Sequence, residues 1–157
     1  MGEVRVGQGF DVHRFAPGRP LMLGGVAFEG DGLVGHSDGD AVCHALADAL
    51  LGAAGLGDVG EHFPDTDPGF EGIGGLDLLA RVVAKVRVAG LVPSSADLIV
   101  LAERPAVAPA RDQIRRSLAA VLGVSPERVS VKATRPEGLG LTGDGVGCLA
   151  LALLQAR

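Results

Sequence analysis

Aromatic residues are scarce in this sequence, which has no tryptophan, no tyrosine and five phenylalanines among 157 residues. The core must therefore be built from leucine, valine and alanine, and a chain of this length can bury such a core by itself. We expect residues 1–157 to form a single domain.

Runs of lysine and arginine are also missing, and the formal net charge is −5. Proteins that bind nucleic acids usually present a basic face to the phosphates, so we expect no nucleic-acid partner. No apolar run reaches the roughly 18 residues of a membrane-spanning helix. Charges occupy the N-terminal residues where a signal peptide would be apolar, so we expect a cytoplasmic protein without a membrane segment.

Cysteine occurs only at Cys43 and Cys148, which are far apart and lack CxxC spacing. A disulfide between them is possible in principle, but two buried thiols are more typical of an intracellular protein. We therefore expect both to be reduced.

Two short apolar runs, residues 4–10 and 20–28, flank a turn region rich in proline and glycine. This order predicts a β-hairpin formed by the two runs. A polar loop leads into residues 41–55, which are rich in alanine and leucine. Asp38 or Asp40 can cap the N-terminus of that segment and a glycine can end it, so the pattern predicts a helix.

The rest of the chain alternates between helical and extended patterns. Helices are predicted over residues 76–89 and 110–123, and strands over residues 97–103 and 128–134. The tail after Gly147 is ambiguous between strand and helix. Because no regular βαβ rhythm is present, we predict an α+β fold with a mixed β-sheet packed on one side by helices.

Three potential metal ligands lie on two of these elements. Asp11 and His13 are two residues apart, so in an extended segment their side chains point to the same side. His44 lies within the predicted helix and offers one more imidazole. Two imidazoles and a carboxylate suit zinc or another borderline divalent ion, and three protein ligands leave one coordination position open for catalysis.

A simpler interpretation of the same residues stays open at this point. An Asp-x-His triplet arises by chance in many chains, and His44 could be a core histidine bonded to a carbonyl group. Asp48 follows His44 by one helical turn. It could accept the second ring N–H of that histidine, or it could be a solvated helix residue.

Three polar loops carry the remaining candidates. Residues 35–40 precede a helix N-terminus, which favours an anion, and His36 there could donate to a phosphate oxygen; an ordinary capping turn is the alternative. Residues 57–70 combine acidic groups with prolines and glycines, which indicates an irregular loop that binds hydroxyl groups or forms a solvated lid. In residues 132–147, a threonine and a glutamate near a strand end could hold a diphosphate with Mg²⁺.

Taken together, these stretches resemble the 2-C-methyl-D-erythritol 2,4-cyclodiphosphate synthase family of the non-mevalonate isoprenoid pathway. The matching text is GFDVHRF, HSDGDAVCHALADALLGAAGLGDVGEHFPDTDP, AERP and VKAT, in that order and over essentially the whole chain. The resemblance implies a phosphorus–oxygen lyase. Its substrate would be 4-diphosphocytidyl-2-C-methyl-D-erythritol 2-phosphate, whose 2-phosphate attacks the β-phosphorus to give the 2,4-cyclodiphosphate and CMP.

The resemblance also implies cofactors and an assembly. Asp11, His13 and His44 would bind zinc or another divalent transition metal, and Glu137 would bind Mg²⁺ or Mn²⁺ together with the substrate. The family is a homotrimer whose active sites lie between subunits, so the resemblance implies a homotrimer here. One chain would supply the metal loops of each site and its neighbour the cytidine pocket.

His36 would be catalytic through stabilisation of the transition state, and Arg135 stands at a second candidate catalytic position. Residues 58–60 would contact the erythritol hydroxyls, with residues 63–67 beside them, and residues 102–108 would contact the cytosine. The full set of implied substrate-binding positions is Asp11, Val12, His13, His36, Ser37, Asp58, Val59, Gly60, Phe63, Pro64, Asp65, Thr66, Asp67, Ala102, Glu103, Arg104, Pro105, Ala106, Val107, Ala108, Thr134, Arg135, Pro136 and Glu137.

The sequence departs from the family pattern at several positions. Arg135 and Pro136 replace two threonines, which leaves the role of Arg135 open, and Ala106 replaces a common lysine. In the family, a cavity on the trimer axis takes isoprenoid phosphates. The phenylalanine, arginine and glutamate usual around this cavity are replaced here by Leu141, Asp144 and Val146. Because the positive charge of the arginine is absent, we do not expect isoprenoid phosphates to bind there.

Two other functions use the same features. A metal-dependent phosphohydrolase would employ the same ligands but deliver water to a nucleotide diphosphate. A metal-stabilised binding module for isoprenoid phosphates would bind without releasing CMP, and the departures around the axial cavity count against it.

Overall fold

The computed structural model describes residues 2–157, which form a β-sheet covered by helices. The strands are β1 Val4–Ala16, β2 Leu21–Leu23, β3 Val26–Phe28, β4 Gly32–Leu33, β5 Leu91–Ala102, β6 Val129–Thr134 and β7 Gly145–Ala156. The α-helices are α1 Ala41–Ala54, α2 Val59–His62, α3 Gly75–Val88 and α4 Arg111–Leu122. Short 3₁₀ turns lie at Pro68–Phe70, Ala108–Ala110 and Pro126–Arg128.

The main sheet has the strand order β4-β1-β7-β5-β6. Strands β5 and β6 are parallel and the other pairs are antiparallel, so the predicted mixed sheet is confirmed. Helix α1 lies against β1 and β7, α3 against β5 and α4 against β6. The opposite sheet face exposes apolar side chains of β1 and β7: Val4, Val6, Phe10, Val12, Leu149, Leu151 and Leu153.

The predicted hairpin between residues 4–10 and 20–28 is wrong. Strand β1 instead pairs along its length with β7, and its end pairs with β4. Strands β2 and β3 form a separate hairpin around Gly24 and Gly25, whose φ values of 61° and 76° suit a two-residue turn of type I′. The strand that pairs with β1 therefore comes from the opposite end of the chain.

The helix predictions are confirmed with small changes of boundary. Asp40, rather than Asp38, is the N-cap of α1, and its side chain accepts the backbone N–H groups of Val42 and Cys43. Gly55 ends α1 with a φ of 71°, a left-handed conformation that favours glycine. The ambiguous tail is the strand β7.

Leucine, valine and alanine make up most of the core, as expected from the lack of aromatics. Cys43 and Cys148 are free and buried in it, as predicted, and burial raises the pKa of both thiols. Within residues 2–157, no helix is long and apolar enough to cross a membrane.

Candidate active site

Two glycines of β1 allow α1 to lie directly against the strand. A Cβ atom at Gly9 would lie 2.0 Å from a backbone carbonyl oxygen of α1, and Gly7 makes the same kind of contact one turn further along the helix. Alternate residues of a strand share a face, so Asp11 and His13 continue the row that the glycines begin. The close approach of α1 brings His44, near the start of that helix, against them.

The three predicted ligands converge on one point. His13 Nε2 lies 2.6 Å from Asp11 Oδ2 and 3.2 Å from His44 Nδ1. His44 Nδ1 lies 3.3 Å from Asp11 Oδ2. Within residues 2–157, this is the one group of three or more histidine, cysteine or acidic side chains spaced to share an ion.

These spacings fit a divalent metal ion. Tetrahedral zinc with bonds of about 2.0–2.2 Å places its ligand atoms about 3.3 Å apart, and two of the three distances meet that value. The third, between His13 and Asp11, is shorter because a hydrogen bond joins them. An ion would replace that proton, and a carboxylate with two imidazoles is a donor set that such metals accept.

The second nitrogen of each imidazole is also engaged. His13 Nδ1 donates to the carbonyl oxygen of Val34 at 2.5 Å, and His44 Nε2 lies 3.0 Å from the hydroxyl oxygen of Ser37. Such outer bonds fix the orientation and tautomer of a ligand histidine. They leave His13 Nε2 and His44 Nδ1 to face the ion.

Asp48 does not play the part that its spacing suggested. Asp48 is half-buried, and its Oδ1 accepts the backbone N–H of Val59 at 2.8 Å rather than a ring N–H of His44. Side chains of a helix lean toward its N-terminus, so the ring of His44 reaches back to the loop with Ser37 and away from the following turn. Burial raises the pKa of Asp48.

The ligand pair on β1 has opposite pKa shifts. Burial alone would raise the pKa of Asp11, but its bonds to His13 and His44 outweigh burial and lower it. Burial alone would lower the pKa of His13, but its bond to Asp11 and the charge of that carboxylate raise it. Without an ion, the two side chains therefore form an ion pair.

A cleft of about 630 Å³ opens over the ligands, and we call it the metal cleft. Ten predicted positions line it: Asp11, His13, His36, Ser37, Asp58, Val59, Gly60, Phe63, Pro64 and Asp65. The predicted ligand His44 and its neighbour Asp48 also line the cleft, and its wall is completed by residues that were not among the predicted site positions: Val34, Gly35, Phe70, Ile73 and Leu78. The apolar members carry no chemical signal in the sequence, because a buried leucine in a cleft resembles a buried leucine in the core.

Residues 57–70 are more regular than predicted. Asp58 caps α2 by accepting the N–H of Glu61 at 3.0 Å, and a 3₁₀ turn follows at Pro68–Phe70. Thr66 and Asp67 lie beside the metal cleft without lining it. The carbonyl oxygen of Asp67 accepts from His36 Nε2 at 2.9 Å, which orients that imidazole.

A second, smaller cleft of about 190 Å³ lies at the ends of β5 and β6. Its lining is dominated by small side chains, so backbone groups are well exposed to a ligand. Seven predicted positions line it: Ala102, Pro105, Ala106, Val107, Ala108, Thr134 and Arg135. Arg111, which sequence reasoning missed, adds a second guanidinium group.

Besides Thr66 and Asp67, five predicted positions line neither cleft. Val12 points to the opposite sheet face and is 45% exposed. The carboxylate of Glu103 accepts the N–H of Gly138 at 2.8 Å, and Arg104 lies 3.2 Å from Asp144. The other two are a buried proline and an exposed glutamate in the loop after β6: Pro136 and Glu137.

Comparisons with known proteins show which family the chain resembles in sequence and fold. The YgbB family model matches residues 4–156. A 2-C-methyl-D-erythritol 2,4-cyclodiphosphate synthase of Symbiobacterium thermophilum is 52% identical over 155 residues, which cover 97% of this chain and 99% of that protein. A solved 2C-methyl-D-erythritol-2,4-cyclodiphosphate synthase in a CDP-bound form superposes with a TM-score of 0.88 at 38% identity, over 96% of this chain and 99% of that one.

Other relatives are longer. The bifunctional enzyme IspD/IspF of Anaeromyxobacter dehalogenans is 54% identical over 153 residues, which cover 96% of this chain but 40% of that protein. The chain thus spans less than half the length of the bifunctional relatives that it matches.

Proposed function

The chain belongs to the YgbB family, together with proteins named 2-C-methyl-D-erythritol 2,4-cyclodiphosphate synthase, and from this premise we propose that it catalyses the same cyclisation. The substrate would be 4-diphosphocytidyl-2-C-methyl-D-erythritol 2-phosphate, and the products the 2,4-cyclodiphosphate and CMP. The observation that carries the proposal is the convergence of Asp11, His13 and His44 at an open cleft beside His36.

The chemistry is an attack of one anion on another. An oxygen of the 2-phosphate forms a bond to the β-phosphorus, and the bond from that phosphorus to the oxygen shared with the α-phosphate breaks. CMP leaves with the electron pair. The attacking phosphate is already ionised near neutral pH, so the chain needs no general base. It must instead offset negative charge and bring the two ends of the substrate together.

The metal cleft is suited to offsetting the negative charge of the reacting phosphates. When bound at Asp11, His13 and His44, zinc or a similar ion supplies a Lewis acid for a phosphate oxygen. The bonds to Val34 and Ser37 keep both imidazoles aimed at that position. The apolar wall, which includes Ile73 and Leu78, would exclude water that could otherwise hydrolyse the diphosphate.

His36 would stabilise charge that develops at the reacting phosphate. Its Nε2 donates to the backbone of Asp67, so the ring is held, and in its imidazolium form Nδ1 carries the proton that would be donated to the phosphate. A fixed donor in a partly buried cleft strengthens as charge develops, which is how such a group lowers a barrier. Ser37 is buried and bonded to His44, so we assign it to the support of that ligand.

The second cleft would take the cytidine end of the substrate, and we call it the nucleotide pocket. Backbone groups of Ala102 and Pro105–Ala108 would bind the base, and Thr134 and Arg135 would meet the phosphates. Arg135 is therefore proposed as a phosphate contact. Glu137 would hold Mg²⁺ or Mn²⁺ with the diphosphate, because a hard cation accepts one carboxylate and several phosphate oxygens.

A homotrimer with sites between subunits would bring the metal cleft of one chain next to the nucleotide pocket of its neighbour. Glu137 lines neither cleft of its own chain, so it would meet the substrate at that junction. The helix-free sheet face supports such an assembly. It exposes Phe10 at 55% and Leu151 at 43%, and contiguous apolar surface of this kind marks an interface. A cytoplasmic location remains a prediction.

The test is to incubate the pure protein with the substrate, zinc and Mg²⁺, and to follow ³¹P resonances together with CMP release. We expect a cyclic diphosphate and CMP in equal amounts. A linear phosphate product would instead establish the phosphohydrolase. Tight binding without CMP release would establish a binding module.

A further inference from the structure

Arg19 bonds to the loop that carries His36 and Ser37, although it lies outside the metal cleft. Its Nη1 donates to the carbonyl oxygen of Gly35 at 2.8 Å, and its Nη2 donates to the carbonyl oxygen of Ser37. These two carbonyl groups flank His36 on either side. One guanidinium group therefore spans the residue to which we assign the stabilisation of the transition state.

The arginine is itself held in place. Its side chain is partly buried, and no carboxylate among residues 2–157 forms an ion pair with it. Its backbone lies against β4, where a Cβ atom at Gly32 would come within 2.6 Å of the carbonyl oxygen of Arg19. Both side-chain hydrogen bonds that Arg19 forms within residues 2–157 go to this loop.

The other carbonyl groups of this loop are also engaged. That of Val34 accepts from His13, and that of His36 accepts the N–H of Gly72 at 2.8 Å. Four consecutive carbonyls, from Val34 to Ser37, are thereby bonded, and Arg19 accounts for two of them. With the backbone fixed on both sides, the imidazole of His36 has a defined place in the metal cleft.

We propose that Arg19 is a positioning residue that acts through His36. The inference rests on the proposed function, in which His36 meets the reacting phosphate. Two carbonyls on either side of one residue require a flat donor with two diverging N–H groups. The guanidinium group provides this fork from two separate nitrogens in one plane, whereas an ammonium or amide group donates from a single nitrogen.

The proposal predicts a particular kinetic signature. In Arg19→Gln, kcat should fall about 10- to 100-fold, because a displaced catalytic group loses its contact in the transition state. KM should change less than about threefold, since the substrate ends are bound elsewhere. The kcat of Arg19→Lys should lie between those of Arg19→Gln and the wild type. Zinc content should be unchanged, because the three ligands lie on β1 and α1. The matched control is Arg116→Gln, which changes an exposed arginine that forms no ion pair within residues 2–157 and should retain full kcat.

A double-mutant cycle separates this role from general support of the fold. If Arg19 acts through His36, then Arg19→Gln should cost nothing further in a His36→Ala background. An equal loss in both backgrounds would overturn the proposal, as would a wild-type kcat in Arg19→Gln and Arg19→Lys. Thermal unfolding of each variant identifies any that is misfolded, and Arg19→Lys retains the charge if the glutamine variant is unstable. A wild-type protein that releases no CMP would refute the proposed function instead.

Discussion

The metal cleft and the nucleotide pocket lie at the same end of one sheet, yet they are built differently. Asp11 pairs with Cys148 of β7, which pairs in turn with Val100 of β5, so one row of residues runs from one site to the other. In the metal cleft each ligand histidine is bonded to a second group that orients it. The nucleotide pocket instead has small side chains and two arginines, Arg111 and Arg135, without ion pairs among residues 2–157.

This difference indicates which function a single chain can perform alone: it should bind the metal ion, but cyclisation in the proposed assembly needs a neighbour. The metal cleft is organised before any ligand arrives, so one folded chain should bind an ion. In the proposed trimer, the nucleotide pocket and Glu137 of one chain would bind the substrate whose diphosphate lies in the metal cleft of a neighbour. Ion binding and cyclisation should therefore respond differently to mutation.

The largest effect is expected from His44→Ala. It removes one of three ligands, so the protein should lose its zinc and at least about 10³-fold in kcat/KM while remaining folded. His62→Ala is the matched control, because His62 donates to the carbonyl of Leu56 and lines neither cleft. Zinc analysis and CMP release would check both variants. Unchanged zinc in His44→Ala would contradict the ligand set.

The next effect separates the two regions. Leu151→Asp places a charge in the centre of the helix-free face and should yield monomers. These should retain one zinc per chain but lose roughly 10²-fold or more in CMP release, because the substrate ends are no longer brought together. Val88→Asp changes an aliphatic residue that is 91% exposed at the end of α3, and should alter neither property. A fully active monomer would show that one chain completes the site.

A smaller effect should follow from the packing of α1 on β1. Gly9→Ala would force a methyl group against the helix backbone, which we expect to cost about 1–3 kcal/mol and to weaken zinc binding as His44 shifts. Gly52→Ala is the matched control. Its Cβ would be 3.8 Å from the nearest atom, and a helix gains about 1 kcal/mol from this change. Denaturant unfolding and zinc titration measure both. Equal stability of the two variants would refute the close contact.

The smallest effect concerns pH. The pKa of His13 is raised, so its ion pair stabilises the zinc-free protein fully below the ordinary value of 6.5, and that contribution is lost as pH rises through the raised value. Zinc competes with the same proton, so its affinity should fall as pH drops through that raised value. Melting temperatures with and without zinc at a series of pH values would check this. A pH-independent zinc affinity would contradict it.

Local rules in the sequence predicted the helices and the three side chains that come together in the metal cleft. Asp40 and Gly55 are caps that act within one turn, and the alternation of Asp11 and His13 is a property of a single strand. Long-range pairing was not predictable in this way. The partner of β1 lies at the other end of the chain, and several strands would have satisfied its pattern equally.

The errors in the site have a similar cause. Spacing along a helix suggested a bond between His44 and Asp48, but the ring of His44 points back to Ser37 and Asp48 accepts the first N–H of α2. Arg19 went unnoticed because an arginine that bonds to backbone carbonyls leaves no motif. The glycines that bring α1 onto β1 do leave a motif, since Gly7 and Gly9 alternate along the strand on the same face as Asp11 and His13.

The central claim is that one carboxylate and two imidazoles share an ion. Anomalous diffraction from crystals grown with zinc tests it most directly. We predict one zinc peak per chain, at about 2.0–2.2 Å from Asp11 Oδ2, His13 Nε2 and His44 Nδ1, with a fourth position left to water or phosphate. A zinc peak elsewhere, with these three side chains bonded only to one another, would contradict the account.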